Sequence, residues 1–421
     1  MRLDIDGRNC ELESGRSILD AVKKEGLDSI MLSDRPLAAQ IGGEVFNLRF
    51  TPKKDTQIHL LRYGEDMGRR VYERTLQFLF ILAMRKEFPR ARVCVRYSLG
   101  PGLFITVDGM EEPFNEEAAL KVETEMRRLV RLKLPLERRR ISIKEALSFY
   151  EQDGQADKAK LLKWRRFSYF DVYQVDGYMD YFYGEMAPDT SYADVFRVKY
   201  VNDGAVVLLM PRNDAPDVPS DYVDLPKLHA VFHQSDEWGK LMECATVNDL
   251  NTHIQNGTIR ELVRINEALH DRGYADIADK IVQKGAKAVL VAGPSSSGKT
   301  TSAHRISTQL RLQGCHPVML SLDDYYIDRD KIERDENGEI DLENINTLDI
   351  QRFGSDLAAL IRGEKVEVPR FDFTNGKRAP EGRILQLHDD EPVIIEGIHG
   401  LNPMLRSPEV DESKIFRIYV S

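Results

Sequence analysis

Alternating and unbroken runs of apolar residues divide the chain into stretches of different character. MRLDIDG, PLAAQIGGEVFNL and TQIHLL read as short strands, and AAQIGGEVFNLRF reads as a hairpin. SILDAVKKEG, between the first two strands, has the spacing of an amphipathic helix that ends at Gly26. VYERTLQFLFILAMRKEFP predicts a helix ending before Pro89. Its apolar run, LQFLFILAM, is far too short to span a bilayer and reads as a buried helix segment. ARVCVRYS, LFITVD, RFSYFDVYQVDGY, RVKYVN and AVVLLMP are strand-like. A Pro/Asp-rich loop, PRNDAPDVPSDYVDLP, then gives way to helical sequence in which Ile259, Leu262, Ile265 and Leu269 recur at helical spacing, which predicts a packing stripe. From 286 onward the pattern changes again. AKAVLVA is an unbroken apolar run suited to a buried parallel strand, and PVMLSLDDYY, EPVIIEG and KIFRIYVS read as three more.

Length and charge narrow the class. At 421 residues, two or three domains are expected. The pattern divides them as 1–62, 63–212, a helical connector at 213–285, and 286–421. A formal net charge of −10 argues against a nucleic-acid coat or a membrane-surface protein. Cys10, Cys94, Cys244 and Cys315 stand far apart, with neither zinc spacing nor a disulfide framework. The N-terminal MRLDIDGRNCELES has no apolar core and is no signal peptide, so a cytoplasmic protein with reduced thiols is expected. Two local features point weakly to other chemistry. From Lys121 to Glu145, a stretch that includes Arg138, Arg139 and Arg140, basic residues outnumber acidic ones. It could touch RNA phosphates, but a solvated helical face is the expectation. The i, i+4 histidines of HAVFH, at 229 and 233, have no third ligand in view and belong to the connector.

The strongest chemical signal lies at 292–305, AGPSSSGKTTSAHR. A buried strand is followed at once by Gly293, Pro294, Ser295, Ser296, Ser297, Gly298, Lys299, Thr300 and Thr301, and then by helical sequence. Strand, glycine loop and helix is the context of a phosphate-binding loop. Glycines let backbone N–H groups curl around phosphate oxygens at a helix N-terminus, where anions are already favoured. Lys299 is expected to reach the β- and γ-phosphates of ATP, and the Thr300 hydroxyl to ligate Mg²⁺. Asp323 and Glu396 end the next two core strands, so they converge on the loop at the carboxyl edge of the sheet. A kinase needs one carboxylate to accept the proton of the acceptor hydroxyl and another for the metal site. Asp324, beside them, could equally be a helix N-cap.

Three resemblances follow from these residues. MRLDIDG, SILDAVKKEG and the hairpin resemble the TGS domain, a ubiquitin-like β-grasp fold. The helix ending at Phe88-Pro89 and the later MDYFYGEMAPDT resemble the second additional domain of threonyl- and alanyl-tRNA synthetases. In that family the helix carries two histidines and the loop a cysteine and a histidine. Here Arg74, Phe78, Phe182 and Met186 stand at those positions, and none can hold zinc. The expectation is a kept fold with a lost site, the four side chains clustering as an apolar and cationic patch.

GPSSSGKTT, SLDDYY, VPRFDF and VIIEGIHGL together resemble the uridine kinase and phosphoribulokinase family. The resemblance implies Asp323 as general base toward a ribose 5′-hydroxyl, Glu396 at the Mg²⁺ site, and Tyr326 and Phe371 lining the acceptor pocket. The candidate substrate set is completed by Tyr325 and Arg378. The family's Asp-His-Pro is replaced by Glu343-Asn344-Ile345, and a base-contacting histidine by Gly376. Both departures touch nucleoside recognition rather than phosphoryl transfer. The family's fifth strand and arginine-rich lid have no counterpart after KIFRIYVS, so a fragment or a shortened member is expected. The fold class is therefore multidomain α+β and α/β. It comprises a TGS-like β-grasp domain, a synthetase-like α+β domain and a P-loop kinase domain whose parallel sheet is C-terminally incomplete. The expected activity is ATP-dependent phosphorylation of a nucleoside hydroxyl. A sugar or sugar-phosphate kinase and a nucleotide-sensing RNA- or ribosome-binding protein are the alternatives. No zinc and no membrane partner are expected.

Overall fold

A computed structural model of the chain describes residues 1–421 apart from 203, 335–337, 339, 390 and 421. The described residues form two compact units, Met1–Thr252 and His253–Ser421.

The first unit opens with β1 (Arg2–Ile5), β2 (Arg8–Glu11), α1 (Ile18–Lys24), β3 (Ala38–Ile41), β4 (Glu44–Phe46) and β5 (Thr56–Leu61). They form one sheet in the order β2-β1-β5-β3-β4, with β1 and β5 parallel and α1 packed on it through Ile18, Leu19, Ala21 and Val22. Helix α1 starts where Ser17 and Asp20 make a reciprocal capping box. The β3–β4 hairpin turns through Gly42 and Gly43, both at positive φ. Strand β2 was not visible in the pattern, because RNCE offers only Cys10 to the core.

Next come α2 (Asp66–Glu87), β6 (Arg92–Leu99), β7 (Gly102–Asp108), α3 (Glu116–Leu132), β8 (Glu137–Ser142), α4 (Ile143–Gln152), α5 (Ala156–Leu162), β9 (Tyr169–Val175), β10 (Tyr178–Asp180), β11 (Arg197–Asn202), β12 (Ala205–Leu209), β13 (Pro211–Arg212) and β14 (Ala215–Pro219). A sheet β11-β12-β7-β6 and a smaller one, β10-β9-β8, share this region. Helix α2 is buried along most of its length, including Leu76, Phe78, Leu79, Phe80, Leu82, Ala83 and Met84. One apolar cluster joins Leu37, Leu61 and Tyr63 to α2, α3 and β7. The arginine run proves not to be a helical face. Arg138–Arg140 lie on β8, where Arg138 and Arg140 both pair with Asp171 of β9 and Arg139 donates to Gln174. The expected patch does form around α2. Phe78 and Phe182 meet edge to face at 5.7 Å, Met186 is fully buried in the same cluster, and Arg74 Nε donates to the Glu185 carbonyl at 2.9 Å.

Helices α6 (Pro226–Leu241) and α7 (Val247–Asn256) follow. His229 Nδ1 lies 2.8 Å from the Tyr97 hydroxyl, and His233 is exposed. The HAVFH pair is thus divided between packing and solvent.

The second unit contains α8 (Ile259–Lys284), β15 (Ala288–Ala292), α9 (Lys299–Leu312), β16 (Val318–Ser321), α10 (Ile350–Ile361), β17 (Val366–Val368), β18 (Phe371–Asp372), β19 (Lys377–Arg378), β20 (Arg383–Leu385), β21 (Val393–Glu396) and β22 (Ile415–Tyr419). Strands β16-β21-β15-β22 form an all-parallel sheet. Leu290, Leu320 and Ile395 point into one core, with Phe353 and Leu357 of α10. Val289, Val291 and Ile394 point into the other, with Ile306 of α9 and Ile281 of α8. Burial on both faces explains why these strands read as continuous apolar runs. The expected packing stripe of α8 is not realised. Ile265 is exposed and Ile259, Leu262 and Leu269 are only partly covered, while the helix buries Ala278 and Ile281 instead.

A candidate phosphate-transfer site at the carboxyl edge of the parallel sheet

Strand β15 ends at Ala292, and the loop Gly293–Gly298 carries the chain into α9 at Lys299. The loop's backbone demands its sequence. Gly298 has φ +87°, a conformation that glycine takes without strain, while Ser296 holds φ +62°, which is uncommon for a residue with a side chain. A Cβ on Gly293 would stand 2.2 Å from the Val420 carbonyl oxygen and 2.6 Å from Ser297 Oγ. Ser297 Oγ is buried without a hydrogen-bond partner among the described residues. A curled loop with an orphaned hydroxyl, at the start of a 14-residue helix, fits a bound anion. Pro294, Ser295, Ser296, Gly298, Thr300 and Thr301 are exposed and Lys299 is half-buried.

The second part of the site comes from β16 and β21. Glu396, the last residue of β21, accepts from Thr300 Oγ1 at 3.0 Å and from Ser321 Oγ at 2.9 Å. Ser321 Oγ accepts in turn from the Asp323 backbone N–H at 3.3 Å, capping the short turn that carries Asp323. One chain of hydrogen bonds therefore links the loop helix, both strand ends, the Glu396 carboxylate and the backbone N–H of Asp323. Hydroxyl and carboxylate oxygens of this kind suit a hard divalent cation such as Mg²⁺. Burial raises the Asp323 pKa above its ordinary value, and the negative charges of Glu396 and Asp324 add to the effect, while Lys299 opposes it. Ser321 was absent from the sequence reading. Its position just before two carboxylates at a strand end was the available signal.

The candidate substrate set divides. Tyr326 and Phe371 lie 5.6 Å apart at 56°, and Phe373, not singled out from the sequence, closes the group at 5.1 Å from Phe371 and 6.4 Å from Tyr326. These rings, with Ile332, Leu342 and Arg329, line a small pocket. Tyr325 is not part of it. Its ring is fully buried against Phe353, its hydroxyl donates to Asp356 at 3.1 Å, and it serves the core. Arg378 is committed to architecture. It donates to the carbonyls of Tyr325 and Tyr326 and pairs with Asp349 at 2.9 Å. Asp324 is no helix N-cap; it accepts from the Phe371 N–H at 3.3 Å and fixes that ring's strand.

Residues 288–420 match the model of the phosphoribulokinase / uridine kinase family. The N-terminal region is similar to threonine–tRNA ligases. The match to the Clostridium kluyveri enzyme is 25% identical over 194 residues, covering 46% of this chain and 30% of that protein. The match to the Acetivibrio thermocellus enzyme is 28% identical over 160 residues, covering 38% and 24%. The chain thus spans about a third or less of the curated relatives it matches. Among solved structures, one described as a possible uridine kinase from Bacillus stearothermophilus is 24% identical, with a TM-score of 0.28, covering 35% of this chain and 79% of that one. A D-glycerate 3-kinase from Cryptococcus neoformans is 19% identical, with a TM-score of 0.24, covering 30% and 52%.

Proposed function

We propose that the segment 286–421 transfers the γ-phosphoryl group of ATP to the hydroxyl of a small acceptor, a nucleoside 5′-hydroxyl first among candidates. The observation that carries this reading is the hydrogen-bonded chain Thr300–Glu396–Ser321–Asp323. A protein that only sensed nucleotide would need the loop but no desolvated carboxylate beside it. When bound, Mg·ATP supplies the phosphoryl group and the divalent charge that offsets it. The loop N–H groups and Lys299 hold the phosphates in place. Thr300 and Glu396 offer the cation its oxygen ligands. Asp323, ionised above its raised pKa, takes the proton from the acceptor hydroxyl as the new O–P bond forms. Tyr326, Phe371 and Phe373 orient the acceptor. The rest of the reading is a division at 62, 212 and 285 and a cytoplasmic location. Among the described residues no helix is long and apolar enough to cross a membrane.

The test is an acceptor screen with radiolabelled ATP, run on the full chain and on Asp323→Asn. A consumed acceptor whose turnover falls about 100-fold or more in Asp323→Asn, with ATP affinity kept, is the expected result. Full turnover in Asp323→Asn would remove the base from this reading.

A further inference from the structure

Arg329 is a cation at the acceptor pocket with no ion-pair partner among the described residues. It lines the pocket with Tyr326, Phe371 and Phe373. Its backbone N–H donates to the Gly376 carbonyl at 2.9 Å, which pins the segment after Tyr326 to the tip of the β18–β19 hairpin. Its side chain then runs across Gly376. A Cβ at 376 would fall 2.6 Å from Arg329 Cδ and 3.1 Å from its Nε. A side chain at 376 would crowd this path for Arg329, and the φ of +65° at 376 already favours glycine.

The two carboxylates flanking it in sequence are already engaged. Asp328 accepts from Lys331 at 2.8 Å and from the Arg378 N–H at 3.0 Å, and Asp330 faces Lys377 at 3.2 Å. Arg329 forms no side-chain ion pair with any described residue, and it is exposed. The other side chains of the pocket offer two phenylalanines, three aliphatic groups and one phenol, whose hydroxyl is turned to the Leu342 carbonyl at 3.3 Å. Guanidinium donates hydrogen bonds and accepts none. The part of an acceptor that meets it must therefore be an oxygen-rich acceptor group, and an anion that presents two oxygens to its fork, a carboxylate or a phosphate, is the best match.

The geometry points to Arg329 as a specificity-determining residue that selects acceptors bearing a phosphate or carboxylate next to the portion held by the three rings. This rests on the kinase reading above and narrows its substrate class from neutral nucleosides to anionic hydroxyl acceptors. Arg329 acts on binding, and Asp323 keeps the chemistry.

The experiment compares matched probes on the full chain: uridine against uridine 3′-monophosphate for the phosphate arm, and glycerol against glycerate for the carboxylate arm. Steady-state turnover is measured for wild type, Arg329→Gln and Arg329→Lys, and each probe is also titrated calorimetrically. The expected result is that one charged probe binds about 10- to 100-fold tighter than its neutral partner. Arg329→Gln should erase that preference through KM, with kcat and the affinity for an ATP analogue unchanged, and Arg329→Lys should recover part of it. The arm that shows the preference identifies the anion. Neutral and charged probes binding alike in wild type, or a charged-probe preference that survives Arg329→Gln, overturns the role of Arg329 while leaving the kinase reading intact. Loss of the kinase reading would show separately, as failure of the ATP analogue itself to bind.

Discussion

Asp323 shows how a single residue can be costly to the fold and needed by the site. Its carboxyl is pushed above the usual range by burial and by Glu396. The unfolded chain therefore gives up this proton at a lower pH than the folded one. As pH rises from the unfolded value near 3.8 through the folded one, the ionised carboxylate progressively destabilises the fold, and above both the cost is constant. Asp323→Asn is thus expected to raise Tm at pH 7.5 while removing turnover, and the gain should vanish near pH 3, where the carboxyl is protonated in both states. Calorimetry of wild type and variant at the two pH values checks this; equal Tm at pH 7.5 would mean that the carboxylate is not strained. The same shift sets activity. Because the base must be ionised, the acid limb of kcat/KM should lie above the ordinary carboxylate range. Lys299→Ala, which removes the positive charge that opposes the shift, should move that limb further up.

Among the elements, the clearest constraint is the loop between β15 and α9. Gly293 has an ordinary backbone angle, but its missing side chain leaves room for the Val420 carbonyl and Ser297 Oγ. Gly293→Ala must displace one of them, and overpacking of this kind costs about 1–3 kcal/mol. The loop would then lose the curl that presents its N–H groups, so affinity for an ATP analogue should fall at least about tenfold while α9 remains helical; titration and far-UV circular dichroism report the two separately. This loop was legible because steric demand and chemistry select the same residues. Elsewhere pattern and placement parted. Tyr325 and Tyr326 are adjacent in sequence, yet one fills the core and the other lines the pocket, because the turn between them points successive side chains to opposite sides. Arg138–Arg140 looked like a solvated helix, but alternation on β8 and the partner Asp171 across the ladder were invisible without β9. With Arg138 and Arg140 both paired to Asp171, the run offers less free charge to RNA phosphates than its composition suggested. Arg74, Phe78, Phe182 and Met186 were readable as a cluster because a lost ligand site in a kept fold must still be filled.

For the whole molecule, the division of cores predicts how the protein comes apart. Among the described residues, each of Met1–Thr252 and His253–Ser421 has apolar clusters of its own, and the β-grasp sheet is joined to α2 within the first. Arg35 ties that unit together. Its nearly buried guanidinium reaches the Tyr192 carbonyl and both oxygens of Asp194, at 2.8 and 3.1 Å. Removing the carboxylate strands a buried cation, which costs about 3–5 kcal/mol where burial is complete and less here, because Asp194 is a third exposed. At about 2–4 °C per kcal/mol for a unit of this size, Asp194→Ala should lower one calorimetric transition by several degrees. A saturating Mg·ATP analogue should raise a different transition, that of the unit His253–Ser421 carrying the 293–301 loop, by about 2.7 kcal/mol at a hundredfold excess over Kd. The two perturbations are therefore expected to move two peaks independently. If the analogue moved both peaks together, or the substitution shifted the nucleotide-sensitive one, the units would share a cooperative core, and the separation of their apolar clusters would not govern unfolding.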